Sequence, residues 1–247
     1  MTDPSIRSAQ ANSFGSAAAE YERGRPSYPA AAIEWMLPPG ARRVLDLGAG
    51  TGKLTRQLVE RNLDVVAVEP SDGMRAELAR QLPGIRALAG TAEAIPLEDG
   101  SVDAVLVAQA WHWVDVARAA PEAARVLTPR GTLGLLWNIR DDREDWVARL
   151  GSLMRRGDEI DLNGERPDVG TAFAPIERAD FEWSHHLDRS ALLDLVASRS
   201  YVITMPAGEW AVLLASVQRL MDTHPDLAGR EDIVLPYVTR CTRTIRI

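Results

Sequence analysis

The sequence predicts a doubly wound α/β fold, and three observations carry that expectation. Short apolar runs alternate with segments of helical periodicity as far as about residue 140. A glycine cluster separates the first of these runs from the helix after it. Each run has the length of a buried strand, so the strands are expected to be parallel and joined by right-handed helical crossovers.

The elements follow in order from local chemistry. Residues 43–47 (RVLDL) read as the first strand, ended by the glycines from Gly48 to Gly52. Leu54, Leu58 and Val59 recur at helical spacing and give a helix over about 52–61. Residues 64–68 (DVVAV) form a second buried strand. Ser71 is the expected N-cap of a helix carrying Met74, Leu78 and Leu82 on one face, and Pro83-Gly84 stops it. A third strand is placed at 85–88 and a fourth at 102–107. Helix returns over about 114–127, stopped by Pro129 and Gly131, and a fifth strand follows at 132–137.

After Asp141 the rhythm changes. Helical patterns cover about 143–155, 190–200 and 207–223, while 181–186 and 239–247 alternate like strands. Arg240, Arg243 and Arg246 in the tail read as the solvated side chains of an outer strand, with a phosphate-binding patch as the alternative.

Composition narrows the classes. Hydrophobic residues make up 46% and charged residues 26%, enough apolar material for a sizeable core. Cys241 is the only cysteine, so one chain holds neither a disulfide nor a Cys-based zinc site. A net charge of −7 disfavours a phosphate backbone as partner. Lys53 is the only lysine; every other basic residue is arginine. The N-terminus lacks the apolar region of a secretory signal, and no apolar stretch approaches the roughly 20 residues of a spanning helix. The expectation is a cytoplasmic protein with no membrane or nucleic-acid partner. Its oligomeric state is not legible. None of the histidines lies at metal-ligand spacing, so no metal is expected.

Val44 to Gly52, VLDLGAGTG, holds the chemistry. A glycine-rich turn between strand and helix lets backbone N–H groups approach a ligand closely. A P-loop would need glycine at Leu47 and Ser or Thr at Leu54, and both fail. A dinucleotide fingerprint fits Gly48 and Gly50 but meets Lys53 at its third glycine. The pattern acid-x-Gly-x-Gly-x-Gly fits at every position, through Asp46, Gly48, Gly50 and Gly52. Glu69 ends the second strand, where a carboxylate can accept both hydroxyls of a ribose.

In these residues the chain resembles the class I S-adenosylmethionine-dependent methyltransferases, over roughly residues 10 to 140. The resemblance implies a Rossmann-like, mostly parallel seven-stranded sheet with an antiparallel last strand and extra C-terminal helices. It implies S-adenosylmethionine as cofactor, with Asp46 facing its cationic charges and Gly48, Ala49, Gly50 and Gly52 against its methionine portion. Pro70 and Met74 would cover the adenine, although Met74 also fits a helical core stripe. Thr91, Ala92 and Glu93 would lie beside the adenine ring, with an exposed loop acid as the alternative for Glu93. Tyr21 and Arg25 lie in a segment resembling one that folds over the cofactor, and an ordinary polar linker is the other reading.

Gln109 and Ala110 follow the fourth strand, where the resemblance places the methyl donor opposite its acceptor. Trp111, His112 and Trp113 come next, a version similar to the small-molecule branch around trans-aconitate methyltransferase. Trp111 and His112 are candidates for the substrate pocket, and Trp113 for the core. His112 is the candidate general base, or else a ring bonded to the backbone. Trp137, Asn138 and Arg140 end the fifth strand on the same edge, with Arg140 the candidate grip on an anionic substrate.

The expected activity is methyl transfer, O-methylation of a carboxylate or hydroxyl being favoured because such acceptors need no strong base. An NAD-dependent oxidoreductase and a catalytically silent nucleoside-binding protein are the alternatives. One methyltransferase domain is expected over 1–247. Its parts are a cofactor-covering segment at 1–40, a cofactor-binding core at 41–141, and substrate-side helices and final strands at 142–247.

Overall fold

Five strands lie side by side in the order β3-β2-β1-β4-β5, and β7 and β6 extend the sheet beyond β5. Here β1 is Arg43–Leu47, β2 Asp64–Val68, β3 Arg86–Leu88, β4 Val102–Ala108, β5 Leu127–Arg140, β6 Glu177–Leu187 and β7 Ile233–Ile245. The computed structural model describes residues 25–154, 167–199, 202 and 205–247. The pairs β1–β2, β1–β4, β2–β3 and β4–β5 are parallel, and β7 is antiparallel. This is the mostly parallel seven-stranded sheet that the resemblance implied.

The helices are α1 Ala30–Met36, α2 Lys53–Val59, α3 Asp72–Gln81, α4 Val116–Val126, α5 Asp145–Met154, α6 Arg189–Ala197 and α7 Ala207–Thr223. Ser71 caps α3 as expected, accepting from the Met74 N–H, and Asp115 caps α4 through the Ala117 N–H. The central strands β1 and β4 are buried on most residues, as strands covered on both faces must be.

The described residues gather into two compact units. One comprises Ser27–Asn138, Thr239–Ile247 and the described part of 163–181. Its core packs Ile33 and Met36 of α1 and Leu54 and Leu58 of α2 with Val44, Ala104, Leu106, Leu136 and Cys241. Gln57 holds the entry to α1, its amide donating to the Tyr28 carbonyl at 2.7 Å and its oxygen accepting from the Tyr28 N–H at 3.0 Å. The other unit comprises Glu182–Val238, the described part of 139–162, and Arg25 and Pro26. Its core joins Trp146 and Leu150 of α5, Leu192 and Leu195 of α6, and Val217 and Met221 of α7 with Leu235 and Tyr237 of β7.

Three differences from the sequence reading have physical causes. β5 begins at Leu127, not Thr132: Leu127 pairs with Val102, and a bulge then carries Pro129 and Arg130 past the ladder before Ala104 meets Thr132. Arg130 takes φ = 64° within that bulge. α1 was not foreseen, being a single short helix behind a proline-rich entry. β7 is not an outer strand, since it lies between β5 and β6. Its arginines are matched to β6 acids, Arg240 to Asp180 at 2.9 Å and Arg243 to Glu177 at 2.7 Å. Arg246 donates to the Leu127 carbonyl.

Candidate cofactor site at the carboxyl ends of the strands

The turn from β1 into α2 is built on left-handed glycines at 48, 50 and 52. Its first two N–H groups, of Gly48 and Ala49, donate to the Val68 carbonyl at 2.8 and 3.1 Å, fastening the turn to the end of β2. Gly48 is fixed for a second reason. A Cβ there would stand 2.9 Å from the Ala110 Cβ, so the glycine turn and the turn after β4 are in van der Waals contact.

Asp46 lies at the end of β1 with 0% exposure. Thr55 of α2 donates its hydroxyl to Oδ2 at 2.6 Å, while Oδ1 is buried with no hydrogen-bond partner. Burial raises the Asp46 pKa to about 7, the Thr55 bond opposing and the Glu69 charge adding to the rise. Glu69 ends the neighbouring strand, 8% exposed. Its Oε2 accepts from the Gly50 N–H and its Oε1 from the Ser71 N–H, both at 2.9 Å. Burial raises its pKa too, against those two bonds and the Arg75 charge. Each Glu69 oxygen thus accepts one backbone N–H and has a second lone pair.

These residues fit a cationic nucleoside. A buried carboxylate oxygen without a partner is costly alone and favourable beside positive charge. The second acid, one strand away, has both oxygens held in fixed directions. Met74 is buried on α3, whereas Pro70 is exposed. Thr91 bridges to Ala94, Ala92 is buried, and Glu93 Oε1 accepts the Asp115 N–H at 2.9 Å.

Gln109 has φ = 58°, in the region a side chain disfavours. Its N–H donates to the Leu136 carbonyl at 2.9 Å, and its side-chain amide reaches the Asn138 carbonyl at 3.4 Å. Trp111 is 3% exposed and gives its indole N–H to the Asp168 carbonyl at 2.8 Å. The half-buried His112 accepts at Nδ1 from the Trp137 indole at 3.3 Å and packs on Trp113 at 4.7 Å between ring centres. Asn138 donates to the Ser27 carbonyl at 3.0 Å and accepts from Thr239 at 2.6 Å. Asp46, Glu69, the glycines, Gln109, Ala110, His112, Trp137 and Asn138 therefore belong to one unit.

Arg25 and Arg140 belong to the other. Arg25 donates to the Ser198 carbonyl at 3.4 Å, and Arg140 rests its guanidinium 3.2 Å from Met154 Sδ. Tyr21 lies outside the described residues. Thr55, Thr239 and Asp168 were not foreseen, because each matters through a contact that spacing along the chain does not announce. Among the described residues no cluster could hold a metal ion, and no helix is long and apolar enough to cross a membrane.

A family model described as a methyltransferase domain matches residues 45–135. A protein of Mycobacterium tuberculosis named an uncharacterized methyltransferase is 58% identical over 232 residues, covering 94% of each chain. The malonyl-[acyl-carrier protein] O-methyltransferase of Methylococcus capsulatus is 38% identical over 133 residues, 49% of this chain and 48% of its own. A proposed type II methyltransferase from Anaeromyxobacter dehalogenans superposes with a TM-score of 0.62 at 25% identity, covering 90% of this chain and 97% of that one. The sheet order agrees with these likenesses, and the chain belongs to the S-adenosylmethionine-dependent methyltransferases.

Proposed function

We propose that the chain methylates an oxygen atom of a small molecule, a carboxylate or hydroxyl, at the edge where β1, β4 and β5 end. The observation that carries this reading is the left-handed turn at Gln109. It sets Ala110 against Gly48 and continues directly into His112, which meets Trp137. One strained residue thus joins the glycine turn to the end of β5, and strain of this kind is retained where geometry serves a site.

Asp46 and Glu69 would hold the amino or sulfonium charge and the ribose hydroxyls, with Pro70, Met74 and the segment Thr91 to Glu93 as further candidates around the nucleoside. When bound, S-adenosylmethionine supplies an electrophilic methyl group, which an acceptor lone pair takes in line as the S–C pair returns to sulfur. The residues after β4 and at the end of β5 would orient that lone pair and exclude water, which supplies most of the acceleration such a displacement needs. Trp111, His112, Trp137 and Asn138 are the candidates on the acceptor side.

The acidic net charge supports a small acceptor over nucleic acid. The O-methyltransferase name of the Methylococcus relative and the likeness of Trp111-His112-Trp113 to the trans-aconitate branch support an oxygen acceptor. The test is methyl incorporation from labelled S-adenosylmethionine across matched small carboxylates, phenols and amines. Incorporation confined to amines overturns the oxygen assignment.

A further inference from the structure

Asp46 is an acid in surroundings that oppose its charge. Its register partners are Ala67 on β2 and Leu106 on β4, both apolar and fully buried. The charge that acts on it from the end of β2 is that of Glu69, which repels. Arg75 of α3 acts on Glu69, and Arg56 of α2 donates to Gln81. The group that favours the ionised carboxyl is Thr55. Its hydroxyl donates to Oδ2 at 2.6 Å, within the range of O–H bonds to a charged oxygen.

Thr55 is held as firmly as the acid. It is fully buried in the first turn of α2, flanked in that helix by the buried Leu54 and Leu58. Gly52 sets the start of the helix at φ = 94°, and a Cβ there would stand 3.0 Å from Leu78 Cγ. The bond therefore spans the whole glycine turn, from the end of β1 to α2, and fixes which carboxyl oxygen is engaged.

We propose that Thr55 is a positioning residue for the cofactor, its hydroxyl orienting Asp46 and favouring the ionised form that a cationic ligand needs. The inference rests on the reading of Asp46 as the acid that meets the positive charge of S-adenosylmethionine, and it holds whatever the methyl acceptor. Without the hydroxyl, Asp46 keeps its proton to higher pH. Binding then has to expel that proton before the ligand's charge is matched, so affinity falls near neutral pH and returns as pH rises.

The test is calorimetric binding of S-adenosylmethionine to the full-length wild type, Thr55→Val, Thr55→Ser and Asp46→Asn between about pH 6 and 8.5. Each affinity is taken as a ratio to wild type at the same pH, which cancels the titration of the ligand's own amine. A bond worth about ten-fold in proton affinity makes Thr55→Val bind about eight-fold more weakly near pH 6.5, and less than about two-fold more weakly near pH 8.5. Thr55→Ser restores the hydroxyl and should stay within about two-fold of wild type throughout. For Asp46→Asn the trend runs the other way, its deficit growing with pH. A Thr55→Val deficit that is equal at every pH, or that Thr55→Ser shares, assigns Thr55 to packing and overturns the inference alone. An Asp46→Asn profile parallel to wild type overturns the reading of Asp46 itself. Thr55→Ala is the second variant without a hydroxyl, expected to show the same trend should valine prevent folding. In the wild-type protein the Thr55 Cβ and Asp46 carboxyl signals should titrate together in carbon-13 spectra, and separate midpoints overturn the coupling.

Discussion

Asp46 sits where water does not reach, and its proton follows from that. Its pKa of about 7 in the fold stands above the ordinary 3.8, so the folded chain binds the proton more tightly than the unfolded one. The resulting stabilisation is complete below about pH 4 and is lost as pH rises through about 7, by at most ~1.4 kcal/mol per pH unit. Asp46→Asn should flatten the fall in cofactor-free stability between pH 5 and 8, read by urea denaturation. An equal fall in both proteins assigns the titration elsewhere. A cationic ligand reverses the preference, so wild-type affinity for S-adenosylmethionine should rise across the same range. Glu69→Ala should weaken that binding by about 1.5–3 kcal/mol in calorimetry, since a charged acceptor is lost. Unchanged affinity in a folded variant would remove Glu69 from the site. Gly48→Ala combines φ = 73° with a Cβ 2.9 Å from Ala110. It should cost on the order of 1–3 kcal/mol of stability, measured as a lowered denaturation midpoint.

At the scale of elements, the parallel strands were legible because burial on both faces leaves unbroken apolar runs such as DVVAV and VDAVLV. β6 and β7 were read too short for the opposite reason. The missed start of β6 carries Glu177 and Asp180, which pair with Arg243 and Arg240 and resemble loop residues in sequence, while the missed start of β7, 233–238, holds Pro236. The bulge in β5 hid its first turn of pairing behind Pro129 and Gly131. Asp46 and Glu69 were legible as acids at strand ends flanking glycines. The Thr55 bond to Asp46 and the Trp137 bond to His112 were not, because they are side-chain contacts without a spacing rule. One unforeseen contact joins helices: His224, 5% exposed, approaches Asp145 at the start of α5 with Nε2 at 2.9 Å, while its Nδ1 accepts the Asp226 N–H at 3.2 Å. The second bond leaves the neutral ring's proton on Nε2, facing Asp145. His224→Ala should lower the thermal unfolding midpoint, because it empties the buried position of the ring. No change in the transition would show that water replaces the ring.

For the whole molecule, ligand binding and stability are one equilibrium. S-adenosylmethionine or S-adenosylhomocysteine at 100 times its Kd should add about 2.7 kcal/mol, seen as a raised melting temperature, whereas NAD should add nothing. A shift with NAD alone would contradict the reading of Lys53 in place of a third dinucleotide glycine. That same residue has a practical consequence. Lys53 opens α2 directly after Gly52, and it is the only lysine in the chain. Apart from the terminal α-amine, an amine-directed ester therefore has a single side chain to acylate, at the lip of the nucleoside turn. Acylation at this position, followed by mass spectrometry with and without S-adenosylhomocysteine, is expected to fall on binding, and equal extents would place the amine clear of the cofactor.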